Sequence, residues 1–193
     1  MMKQQLTLKN PPIRGLEYDN TLETPPWLFA MLERDFGPFN LDVCASDAHH
    51  LCTKYFTAEN SCLGDEHWGL DCMPSRAFCN PPYSEGLIGP IVQRALKEAL
   101  AGMCSTLFIF PAKKSELAWY HDFVLNPGGT GATAIYPIRG RIDFCRGGVP
   151  LGSPNHASVL VDFQVNRVSQ NIRQRLHLPR SGSFCRKSGL SIT

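Results

Sequence analysis

The sequence predicts an α/β protein built on a doubly wound, mostly parallel sheet with an antiparallel edge, and three observations carry that prediction. Short apolar runs of strand length alternate with longer amphipathic segments. The 193 residues are 43% hydrophobic, which suits one substantial core and is short for two. The late strands cluster without long helical patterns between them, which allows an antiparallel edge.

Taken in order, residues 1–20 are polar, contain Pro11 and Pro12, and hold no period, so they read as a flexible arm. A catalytic domain is expected over 21–165. It opens with a helix in which Thr24 suits the N-cap and Pro25 or Pro26 the first turn. Leu28, Leu32 and Phe36 recur every four residues before Gly37 and Pro38 stop it. FNLDVC (39–44) reads as a buried strand with Asp42 near its carboxyl end, and RAFC (76–79) as a second strand. Leu87 to Leu100 is helical by its apolar spacing, and STLFIF (105–110) is a strand. A further helix is expected over Ser115–Leu125, and strands over Ala132–Tyr136, Arg141–Phe144 and Ala157–Phe163. NPGGTG (126–131) lacks a following Lys-Ser/Thr and a helix, so it reads as a turn and not as a phosphate loop.

The net charge of +2 hides an asymmetry. Residues 1–100 carry 8 basic and 13 acidic side chains, and residues 101–193 carry 11 and 4, so a polyanion would face the second half. Residues 166–193 hold six basic residues and no acidic one, and read as a basic, flexible tail, first as a solubilising terminus and, as the functional alternative, as a nonspecific phosphate contact. The eight cysteines include no closely spaced C-x-x-C pair, so free thiols are expected and no metal site. No apolar run reaches the roughly 18 residues of a membrane span, and MMKQQLTLKNPP lacks the apolar stretch of an export signal. A cytoplasmic protein, monomeric or weakly dimeric, is expected.

The chemistry concentrates in Asn80, Pro81, Pro82 and Tyr83, which follow an apolar strand and precede an amphipathic helix. The nitrogen of an aromatic amine is a poor nucleophile because its lone pair is delocalised into the ring. The Asn80 amide oxygen and the Pro81 carbonyl are two acceptors able to hold both amino hydrogens and aim that lone pair at an electrophile. Two successive prolines restrict the backbone before each, which preorganises Asn80. Tyr83 offers a flat face for a base rotated out of a duplex. In open α/β sheets ligands bind beyond the carboxyl ends of the strands, where both the Asp42 turn and this loop fall.

Beyond that loop, TPPWLF (24–29), LDVCAS (41–46), KYFTAENSCL (54–63), Trp68, FCNPPYS (78–84), FIFPAKKSELAWYHD (108–122) and GRIDF (140–144) occur in this order. In them the chain resembles the phage-type DNA N-6-adenine methyltransferases of the Dam-like family over roughly residues 24–163. The resemblance implies a Rossmann-like methyltransferase fold and S-adenosylmethionine as methyl donor. It implies methylation of the exocyclic amino nitrogen of adenine in double-stranded DNA by base flipping, with GATC as the suspected sequence, and a phage or prophage setting. It places Thr24 and Pro25 beside the methionine part of the donor. Asp42 would accept from its amino group, with Ala45 nearby, Glu59 would hold the ribose hydroxyls, and Asp65 or Glu66 with Trp68 the adenine ring. LDVCAS lacks the glycine-rich turn of larger methyltransferases.

Lys113, Lys114, Arg139, Arg141 and Arg146 lie at or after late strand ends, where they would contact DNA phosphates, with the 145–156 loop reaching a groove. Two alternatives stay open: an amino-methyltransferase acting on RNA or on protein glutamine, and a catalytically silent DNA-binding protein.

Overall fold

Cys104–Pro111 is buried at every position because it lies in the middle of the sheet, parallel to one neighbour and antiparallel to the other. The computed structural model describes residues 22–69, 75–83, 86–126, 130–152, 156–165, 172–173 and 176–177. Within them the strands are β1 (Leu41–Asp42), β2 (Lys54–Tyr55), β3 (Ser75–Cys79), β4 (Cys104–Pro111), β5 (Ala134–Arg139), β6 (Cys145–Arg146), β7 (Val149–Pro150), β8 (Ser158–Phe163), β9 (Ile172–Arg173) and β10 (Leu176–His177). The main sheet runs β10-β5-β8-β4-β3-β1-β2, with β9 also on β5, and β6 and β7 form a separate hairpin.

Strands β2, β1, β3 and β4 are mutually parallel, whereas β8 inserts antiparallel between β4 and β5. The sheet is therefore mixed and mostly parallel, with its antiparallel strand inside and not at the edge where the sequence suggested it. Each face is buried, and alternate residues split between two cores. Ala77, Cys79, Phe108, Phe110, Val159 and Val161 point to one, while Phe78, Leu107, Ile109 and Leu160 point to the other.

Helix α1 (Pro26–Phe36) covers the second core with Leu28 and Leu32, and the Gly37 N–H closes it on the Glu33 carbonyl. The expected Thr24 cap is corrected: Pro25 occupies the N-cap, no side chain caps the helix, and the buried Thr24 Oγ1 has no hydrogen-bond partner. Helix α2 (Ile88–Leu100) covers the first core with Ile88, Ile91, Val92, Ala95 and Ala99. Its Arg94 pairs with Glu98 at 2.7 Å and donates to the Gly64 and Glu66 carbonyls, which ties the loop before β3 to the helix.

Two other expectations are corrected. The helix expected over Ser115–Leu125 is a 3₁₀ turn (Ala112–Glu116) followed by a π-helical segment (Tyr120–Leu125). The wide turn lets Tyr120 and Val124 reach the core while Trp119 packs edge-on to Phe110. Residues 141–144 are not a strand. Gly147 and Gly148, at φ 57° and 75°, form a tight turn that sets the pairing of the residues on either side of it, in β6 and β7. The arm 1–20 lies outside the described residues, as does most of the 166–193 segment. Of that segment, the backbones of β9 and β10 pair in parallel with β5.

A deeper bond crosses the sheet. Arg76 on β3 donates to the wholly buried Asp162 of β8 at 2.6 Å and to the Phe36 carbonyl at 3.0 Å, joining two strands that are not neighbours to the end of α1.

Candidate functional site

β3 ends at Cys79, one residue past the end of β1 and three short of the end of β4, so Asn80 emerges at the carboxyl edge of the parallel strands. There it lines a cleft of about 360 Å³ together with Pro81, Pro82 and Tyr83. Val43, Cys44 and Ala45 after β1 form one wall, Thr57, Ala58, Ser61, Cys62 and Leu63 another, and Leu87 with Ile91 at the start of α2 a third, with Leu22 also lining it. The volume lies in the range of small-molecule sites. A second cleft of about 480 Å³, on the opposite face of the first turns of α2, is lined by Lys114 and Trp119 and does not include Asn80. Chemistry decides between them in favour of the smaller one, because it alone holds the strand-end amide.

Asn80 is half-buried and fully engaged. Its Nδ2 donates to the Leu22 carbonyl at 3.1 Å, and its Oδ1 accepts from the Tyr83 hydroxyl at 2.9 Å. Tyr83 is 4% exposed, edge-on to Phe144, and burial holds its phenol well above the ordinary range. The open stacking face expected of Tyr83 is thus not presented: in this arrangement the residue serves the Asn80 amide. Behind it the Cys79 and Cys44 sulfurs lie 3.6 Å apart, and burial pushes the Cys79 thiol up to about 11, so it packs as a neutral group.

The remaining expected donor contacts are dispersed. Ala45 lines the cleft; Thr24, Pro25, Asp42, Glu59, Asp65 and Trp68 do not. Thr24 and Pro25 are buried two and three residues beyond Leu22. The buried Asp42 turns its carboxylate to the Leu51 N–H at 3.0 Å, and burial, outweighing this bond and that from Cys44, raises its pKa. Glu59 and Asp65 are exposed, Glu59 on the chain between the lining residues Ala58 and Ser61. Trp68 is corrected: it is wholly buried and its Nε1 donates to the Cys62 carbonyl at 2.9 Å, so it supports the wall and has no face for an adenine ring.

Of the expected phosphate contacts, Arg139, Arg141 and Arg146 are exposed, and Lys113 and Lys114 are half-buried. His156 was missed. Its pKa is lowered by burial and then by the charges of Lys113, Arg141 and Lys114, so the field of three of the five expected cations reaches it. A histidine in the glycine- and proline-rich loop NH gave no periodic signal by which to find it. Leu22 was also missed, because nothing in a polar arm marks the one carbonyl that will meet a distant amide.

A cleft at the carboxyl edge of a mostly parallel sheet, with an Asn-Pro-Pro-Tyr loop at its lip, is that of a Rossmann-like α/β protein whose ligand sits beyond its strand ends. The particular lineage follows from comparison: the chain belongs to the DNA N-6-adenine-methyltransferase (Dam) family, whose model matches residues 16–175. It is 33% identical over 176 residues to the DNA N-6-adenine-methyltransferase of Escherichia phage T1, covering 84% of this chain and 69% of that one. It is 35% identical over 79 residues to YfdM of Escherichia coli (strain K12), covering 39% of this chain and 86% of that one. Among the described residues no helix is long and apolar enough to cross a membrane.

Proposed function

We propose that this protein transfers a methyl group from S-adenosylmethionine to the exocyclic amino nitrogen of adenine in double-stranded DNA, at GATC, on a sheet we read as doubly wound. The observation that carries the reading is the Asn80 amide at the lip of a cleft of ligand size, oriented by hydrogen bonds at both of its ends.

The cleft fits the donor in kind. Apolar and small side chains (Val43, Ala45, Ala58, Leu87) suit an adenosyl group, and Thr24 Oγ1, two residues beyond the lining residue Leu22, is a buried polar atom without a partner. S-adenosylmethionine would supply the activated methyl group through its positive sulfur. Asp42, one residue before the cleft wall, is the carboxylate that would meet its ammonium, and Glu59 would reach the ribose from the exposed edge. The protein's own part is positioning: Asn80 Oδ1 and the Pro81 carbonyl accept the two amino hydrogens of a flipped adenine, and Pro81 with Pro82 holds them still. Lys113, Lys114 and Arg141, whose charges act on His156, would neutralise phosphates, with Arg139 and Arg146 as further contacts.

The test is methyl transfer from labelled donor to unmethylated duplex DNA. Label should enter adenine with wild type and be lost with Asn80→Ala, and treated DNA should become sensitive to a nuclease that cuts only methylated GATC. No label in adenine, or equal transfer by wild type and Asn80→Ala, defeats the reading. Label in RNA or protein glutamine would move the acceptor while leaving the cleft its role.

A further inference from the structure

We infer that Glu23 is a positioning residue, which clamps the segment before α1 between the Cys145–Pro150 hairpin and the Asn80 loop and so fixes the direction in which the Asn80 amide presents its oxygen. This rests on the role given to Asn80 above.

The first step is the amide itself. Its oxygen and NH₂ ends are nearly isosteric, and turning the group over exchanges an acceptor for a pair of donors. The Tyr83 hydroxyl accepts as readily as it donates, so it fits either orientation. The Leu22 carbonyl only accepts. It therefore selects the orientation in which Nδ2 faces it at 3.1 Å, and this leaves Oδ1 for Tyr83 and for an incoming amino group. The placement of one backbone carbonyl decides whether Asn80 offers an acceptor where the chemistry needs one.

Leu22 lies in no helix or strand, so something else must hold it. The next residue does. Glu23 N–H donates to the Cys145 carbonyl at 2.9 Å, and the Cys145 N–H returns a bond to the Glu23 carbonyl at 3.0 Å. Its side chain then crosses to the hairpin turn, where Oε1 and Oε2 accept from the Gly147 and Gly148 N–H groups at 2.8 and 2.9 Å. Two consecutive residues with positive φ turn successive N–H groups toward one point, a ready-made anion seat, and the carboxylate occupies it. Burial acts to raise the Glu23 carboxyl, but the two glycine N–H bonds and His49 outweigh it, and the net shift is downward. His49 Nδ1 lies 3.9 Å from Oε2, so the same carboxylate also abuts the loop after β1.

Four bonds to the hairpin thus fix one residue, and its neighbour's carbonyl fixes the reactive amide. The backbone bridge to Cys145 sets the strand of contact, and the carboxylate adds the two bonds that tie it to the hairpin tip. Glutamine at position 23 keeps the length but offers one oxygen for two N–H groups; alanine offers none.

The experiment compares wild type, Glu23→Gln and Glu23→Ala as full chains. It follows the Asn80 side-chain NH₂ resonance by NMR, assigned by its loss in Asn80→Asp, together with kcat, KM for donor and DNA, and Tm. Glu23→Gln should displace or broaden the Asn80 resonance and lower kcat about five-fold or more, with both KM values within about two-fold, the pattern of lost orientation and not of lost binding. Glu23→Ala should go further in the same direction. An Asn80 resonance unmoved in both variants, or a kcat loss that only follows the fraction unfolded, overturns the clamp. Wild-type transfer with an unaffected Glu23→Gln sinks this inference and leaves the proposed function standing. A displaced resonance in a protein that methylates no DNA does the reverse.

Discussion

The Tyr83 hydroxyl donates to Asn80 Oδ1 across 2.9 Å while its ring is shut into the core. Tyr83→Phe removes one oxygen and keeps the packing. A typical net hydrogen bond of about 0.5–1.5 kcal/mol translates into a fall in kcat of about 2- to 12-fold, with Tm little changed. Steady-state kinetics beside a thermal melt will show it; an unaltered kcat would mean that Leu22 alone orients the amide.

Asp42 separates stability from binding. Its folded pKa is raised by burial, so its contribution to stability is full below the unfolded carboxylate pKa and is lost as pH rises through the folded value. At neutral pH Asp42→Asn removes the burial cost of the charge and keeps the bond from the Leu51 N–H, but gives up the second oxygen that meets the Cys44 N–H, so Tm should change little. If Asp42 carries the donor's ammonium, the same variant should weaken donor binding about ten-fold in calorimetry. Unchanged affinity would leave Asp42 a structural acid.

The charges of Lys113, Arg141 and Lys114, after burial, lower the pKa of His156, which favours its neutral form in the free protein. For folding, that depressed value favours the native state above the unfolded histidine pKa, a benefit that fades as pH falls through the folded one. A DNA phosphate offsets the same cations, so duplex affinity should tighten as pH drops below about 6.5. Fluorescence anisotropy across pH should show this slope in wild type and a flatter one in His156→Ala. Replacing Lys113, Lys114 or Arg141 singly should reduce the salt slope by about one each if it touches a phosphate.

The Arg76–Asp162 pair is a stability device far from the cleft. Asp162→Ala strands a guanidinium that is 16% exposed beneath α1, at a cost of about 3–5 kcal/mol in urea denaturation. A loss under about 1 kcal/mol would mean that the Phe36 carbonyl and Phe39 ring satisfy Arg76 without it.

Periodicity made α1, α2, β3, β4 and β8 legible to within two residues, because each buries an apolar face set by local spacing. It misread Ser115–Leu125, where Trp119, Tyr120 and Val124 serve a core defined by β4 and α2, and their packing widens the helix. It misread 141–144 as well, where the glycine turn and not apolar content sets the pairing. Asn80 was found because chemistry and chain context coincide in four consecutive residues. Trp68 was misassigned because an indole reads alike in a ligand wall and in a core, and only its bond to the Cys62 carbonyl distinguishes the two.

By itself the sequence determined the lineage, the strand–loop–helix around Asn80 and the basic second half, since these depend on residues adjacent in the chain or at fixed spacing. Only the tertiary structure decided that β8 enters the sheet antiparallel, that three distant cations act on His156, and that Glu23 bonds to a hairpin more than a hundred residues away, next to the Leu22 carbonyl that meets the Asn80 amide. Such contacts are made by backbone groups and charges that every chain possesses. Folding chooses among them, and no local pattern names the partner.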